Sequence, residues 1–132
     1  MKRPYLAPIC AALAAAGAVG ATPASADHGG GSRVEAQTRV NCSHGTRISE
    51  RLRAADGQIR IDIELEHRHQ PGAWTLVVLH ERRVVARATL RSNTTTGSLE
   101  LRRTVADWFG SDTVVTRAAG PADEQCRVTA TV

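Results

Sequence analysis

The sequence predicts an all-β chain, folded as a Greek-key sandwich of about seven or eight short strands. Three observations lead there. From Val34 onward, apolar residues recur at every second position rather than at helical spacing. Turn formers separate the alternating runs: Asp56-Gly57, Gln70-Pro71-Gly72, Thr96-Gly97, Gly110-Ser111-Asp112 and Gly120-Pro121. Finally, 132 residues that are 42% hydrophobic but only 3% aromatic suit one domain with an aliphatic core. Short strands at near-regular spacing, with no helical pattern between them, favour a sandwich; a small barrel is the alternative.

The elements follow in order. Residues 1–26 read as a cleaved secretory signal. Lys2 and Arg3 start it, Leu6 to Ala21 is apolar and rich in Ala, and Ala24-Ser25-Ala26 places small residues where a signal peptidase reads them. Cys10 lies inside the apolar stretch, too early to become a lipidated N-terminus. Cleavage after Ala26 leaves a flexible, Gly-rich leader, residues 27–33, and a domain over residues 34–132. Losing Lys2 and Arg3 reduces the basic residues from 17 to 15, all Arg, against 13 acidic ones. Of 3 cysteines, Cys42 and Cys126 survive. An even count in an oxidising compartment reads as one disulfide. No later run is long enough to span a bilayer, so the mature form is expected to be secreted.

Within the domain, Val34, Ala36, Thr38, Val40 and Cys42 share one parity. Ile48, Leu52 and Ala54 alternate with Arg47, Ser49, Arg51 and Arg53 in the second run. The clearest strand runs from Gln58 to Arg68. Ile59, Ile61, Ile63 and Leu65 face one way; Arg60, Asp62, Glu64 and Glu66 face the other, as in a half-buried antiparallel strand. Ala73 to His80 is apolar on both faces, which predicts a central strand. Val84 to Leu90, Ser98 to Val105, Thr113 to Ala118 and Gln125 to Val132 complete the set. Cys42 and Cys126 sit on the apolar parity of the first and last strands, so their bond requires those strands to be neighbours or to face each other across the core.

From Trp74 to the end, the chain resembles the small exported immunoglobulin-like sandwich proteins of high-GC Gram-positive bacteria. The residues that carry the likeness are Trp74 opening a strand, Gly97 before a strand, the Gly110-x-Asp112 corner, Ala118 at a strand end, and Cys126 pairing with Cys42. The resemblance implies fold and export, and brings no catalytic residues with it.

The polar residues point away from chemistry. His67 and His69 flank Arg68 at a strand end and read as a solvated hairpin tip rather than a metal site, because no third ligand converges on them. If Gln70-Pro71-Gly72 closes a hairpin, His80 pairs near Ile63, out of reach of His67. Asp62, Glu64 and Glu66 read as one solvated face. No serine stands in a nucleophile elbow. The arginines alternate with acids, which argues against nucleic acid. Trp108-Phe109 holds two of the three aromatics left after cleavage. The pair is expected to plug one end of the sandwich; the other reading is an exposed contact surface. No cofactor is implied. The expected function is a secreted, non-enzymatic binding or envelope-interaction module. A protease inhibitor acting through a loop such as Glu81 to Arg83 is the alternative, and a small hydrolase the third choice.

Overall fold

A computed structural model describes residues 34–68 and 71–132. The expected signal and leader, residues 1–33, together with His69 and Gln70, lie outside the described residues. Eight strands form among the described residues: β1 (Val34–Asn41), β2 (Arg47–Ala55), β3 (Gln58–His67), β4 (Gly72–His80), β5 (Arg83–Ser92), β6 (Gly97–Ala106), β7 (Thr113–Ala119) and β8 (Gln125–Thr131). They build two antiparallel four-stranded sheets, ordered β1-β2-β3-β6 and β5-β4-β7-β8. The fold is a β-sandwich, and no barrel closes among the described residues.

The period-two pattern explains the layers. Ile59, Ile61, Ile63 and Leu65 of β3 are all buried, with Ile48 and Leu52 of β2 beside them. Trp74, Leu76 and Val78 of β4 face them, together with Val114 of β7 and Val128 of β8. Each such side chain stabilises the fold by about 1.5–3 kcal/mol through burial. Strand β4 is central, between β5 and β7, as its two apolar faces require. Trp74 packs so closely on Gly120 that a Cβ there would collide with the indole ring.

Local turn chemistry sets the β2–β3 hairpin. Ala55 pairs with Gln58, and Asp56 and Gly57 between them both have positive φ, as a two-residue primed turn demands. The expected hairpin between β3 and β4 does not form. Strand β3 pairs with β2 and β6, and β4 lies in the opposite sheet. A chain that passes from one layer to the other separates His80 from Ile63. Strand β6 then returns to lie beside β3, as the fourth strand of a Greek key returns beside its first.

Cys42, just after β1, and Cys126, on β8, form a disulfide with Cα atoms 4.8 Å apart. It joins the edges of the two sheets across one open side of the sandwich. Glu124 secures the same corner: its Oε1 accepts from the backbone N–H groups of His44, at 3.2 Å, and Thr46, at 3.0 Å.

Candidate functional site: an aromatic loop over a buried histidine–aspartate pair

Between β6 and β7 the chain changes sheets through residues 107–112, and both ends of this loop are fixed. The Asp107 N–H donates to the Gly57 carbonyl at 2.9 Å. Asp112 exchanges backbone bonds with Val132, at 2.9 and 3.0 Å. The Asp112 side chain turns inward, where its Oδ1 accepts from His80 Nε2–H at 2.5 Å and from the Trp108 N–H at 3.4 Å. His80 and Asp112 are both buried. Burial alone would lift the Asp112 carboxyl, but its bonds to His80, Asp107 and Trp108 outweigh that and hold it below the usual range. Asp107, bonded to the Asp112 carboxylate and repelled by it, is held above its own.

Trp108 covers this pair. Its ring centre lies 4.4 Å from that of His80, and the Arg83 guanidinium stands 5.6 Å from the indole. Arg83 opens β5, just after the β4–β5 turn, where Glu81 and Arg82 both adopt left-handed backbone without glycine. That turn is tied to β7, because the Thr113 N–H donates to Glu81 Oε1 and the Glu81 N–H to the Thr113 carbonyl. One end of the molecule therefore carries a Trp held against a buried pair and flanked by Arg.

Phe109 departs from the expected plug. It is fully exposed, and Trp108 retains 41% of its surface in solvent. The crossing between sheets turns Trp108 toward His80, and its neighbour on the loop projects away from the core. The positive φ of Gly110 then lets the chain turn back toward Asp112.

The other candidates fall into place around this loop. His67 is not at a solvated tip. It continues the inward parity of Ile63 and Leu65, is 2% exposed, and neither ring nitrogen has a partner among the described residues. Gly97 lies opposite it on β6. Asp62, Glu64 and Glu66 stand on the outer face of the first sheet. There Asp62 meets Arg60 at 3.2 Å, Arg102 at 3.5 Å and Arg53 at 3.9 Å. Among the described residues, no three His, Cys, Asp or Glu side chains converge as a metal site would require.

Three buried side chains have roles that were missed from the sequence. His80 and Asp112 have the spacing of a catalytic pair, but both are sealed from solvent and no serine bonds to them among the described residues. They act as a clamp for the loop. Glu50 lies wholly inside the core, where Thr116 Oγ1–H donates to its Oε2 and Oε1 has no partner among the described residues. Its signal was its parity, between Ile48 and Leu52 on the inward face of β2. Burial pushes its carboxyl up to about 7, against the lowering effect of the bonds from Thr116 and the Ala130 backbone.

The interspersed charge expected from the sequence holds only for the first sheet. The strands of the second sheet contain no acidic residue at all. No protein-family model, curated protein or solved structure matches this chain.

Proposed function

We propose that the chain is an exported, non-enzymatic, immunoglobulin-like binding module that engages a protein or envelope partner through the Trp108-Phe109 loop. The observation that carries this reading is the full exposure of Phe109 on a loop fixed at both ends. A Phe in water forgoes about 1.5–3 kcal/mol that burial against a partner would recover. A loop already held by Asp107 and Asp112 loses little freedom on binding, so more of that gain appears as affinity. Trp and Arg side by side are also the residue types that dominate interface energetics.

Export is supported by the three-part pattern of residues 1–26 and by the Cys42–Cys126 bond. No helix among the described residues is long and apolar enough to cross a membrane. The inhibitor alternative has less behind it. Glu81 and Arg82 form a two-residue turn, which offers no extended segment to lie in a protease cleft.

The test is co-sedimentation of the protein with cell-envelope fractions of its producing organism. Phe109→Ser and Trp108→Ala are expected to cut retention at least fivefold, and Thr104→Ala on β6 to leave it unchanged. Equal retention of all three variants would refute the assignment of the loop. Intact mass of the protein recovered from the medium tests export, with Asp27 as the expected first residue.

A further inference from the structure

The two sheets differ sharply in charge. Strands β1, β2, β3 and β6 contain seven Arg and six acidic residues; β4, β5, β7 and β8 contain five Arg and none. On the first sheet the arginines of the outer face are largely neutralised by neighbours such as Glu35, Asp62 and Glu100. Arg87, Arg91, Arg117 and Arg127 form no ion pair among the described residues.

The register aligns three of these four. Arg87 lies opposite Val77, Val77 opposite Arg117, and Arg117 opposite Arg127. The row crosses all four strands at right angles to them. With strands about 4.8 Å apart, it places guanidinium stems at roughly 5 and 10 Å intervals. Arg117 and Arg127 face each other directly, an arrangement that costs stability in a sheet unless an anion intervenes. One neighbouring row is Thr89, Thr75, Ala119 and Gln125, all short or hydrogen-bonding and all exposed. A shallow hollow of about 380 Å³ opens there, over Thr75, Val77, Arg117, Ala119, Gln125 and Arg127.

The geometry points to a second binding surface on this outer face, with a linear anionic glycan as its ligand. A polymer laid along the row would set its carboxylate, sulfate or phosphate groups against Arg87, Arg117 and Arg127. Its hydroxyls would meet Thr75, Thr89 and Gln125. The face carries no outward aromatic on which bases could stack, so single-stranded nucleic acid suits it poorly. Its exposed large apolar residue is Val84, an aliphatic side chain rather than the aromatic anchor that a protein hot spot or a bilayer interface favours; Trp108 and Phe109 are on the end loop.

Fluorescence anisotropy of labelled oligogalacturonate with the full chain, disulfide intact, tests this. Binding is expected to weaken with salt, with a log–log slope of about −2, as for three cations on a single-stranded polyanion. Arg117→Glu with Arg127→Glu should weaken it at least tenfold. Arg87→Glu alone should weaken it several-fold, and stands in where the double variant does not fold. Arg39→Glu on the opposite face and Phe109→Ser on the loop should change it less than twofold, so the two surfaces stand or fall separately. Unchanged binding by a folded double variant, equal binding of neutral dextran, or tighter binding of single-stranded DNA of equal charge would overturn the proposal.

Discussion

Glu50 makes the domain sensitive to alkali in a way that one substitution should abolish. Its carboxyl is fully buried between Ile48 and Leu52 and accepts one side-chain bond, from Thr116. Burial raises its pKa from an ordinary 4.5 to about 7. A raised acid binds its proton more tightly in the folded state than in the unfolded one. Its contribution to stability is therefore complete below pH 4.5, declines as pH rises, and is lost above pH 7. At about 1.4 kcal/mol per pH unit, the full span is worth about 3 kcal/mol. Between pH 5 and 8.5 the loss is about 2.5 kcal/mol by the same relation. Glu50→Gln keeps an acceptor for Thr116 and cannot ionise. Urea melts at both pH values should show the wild-type domain losing about 2.5 kcal/mol more than Glu50→Gln, with the variant the more stable at pH 8.5. Thr116→Val removes a donor that favours the carboxylate and should move the transition to higher pH. Parallel pH profiles for wild type and Glu50→Gln would refute the reasoning, since the remaining titrating groups are common to both.

Three further outcomes are expected. Reduction of the Cys42–Cys126 bond, or Cys126→Ser, should cost up to about 4.6 kcal/mol on loop entropy, given a sequence separation of 84. A fall in melting temperature of well over ten degrees checks it, and two reactive thiols in the denatured, unreduced protein would disprove the bond. Ile63→Ala should cost about 2–5 kcal/mol and Glu64→Ala no more than about 0.5, because one is buried in the core and the other stands on the outer face. Denaturant melts that rank them the other way would invert the register. Asp112→Ala leaves the His80 Nε2–H buried without its acceptor and should cost about 3 kcal/mol, with a changed near-ultraviolet circular dichroism signal from Trp108. A cost below about 1 kcal/mol, with the signal unchanged, would remove the clamp from the account of the loop.

The sequence made the strands legible and hid most of their partners. Alternation in β3 is complete enough to assign every side chain a face, and Asp56-Gly57 specifies its turn. The same parity placed both cysteines inward. Parity does not say which strand lies alongside, because β3 could satisfy its inner face against any apolar layer. The pairings β3–β6 and β4–β7 join residues far apart in the chain, and local pattern carries no record of them. His67 was readable, since it extends the inward series of Ile63 and Leu65, but its place next to a Pro-Gly turn suggested solvent instead. Glu50 was readable in the same way, as a lone charge on an apolar parity. His80 was not, because both faces of β4 are apolar and parity there distinguishes nothing. The charge asymmetry between the sheets was equally hidden. Every arginine of the second sheet was visible, but only the strand order sets Arg87, Arg117 and Arg127 in one row.

The position of the Cys42–Cys126 bond also determines how the domain responds to a mechanical pull. Under tension applied at the two ends, force entering at Val34 reaches Cys42 and passes directly to Cys126. The 83 residues between them bear none of it. Only β1 and the six residues after Cys126 can peel away, about 14 residues that extend by roughly 50 Å. The remaining contour, on the order of 290 Å, stays locked until the bond is reduced. Arg87 and Arg117 of the arginine row lie within the shielded span and keep their places under a load that strips β1 and β8, whereas the β6–β7 loop loses the Val132 bonds that fix Asp112.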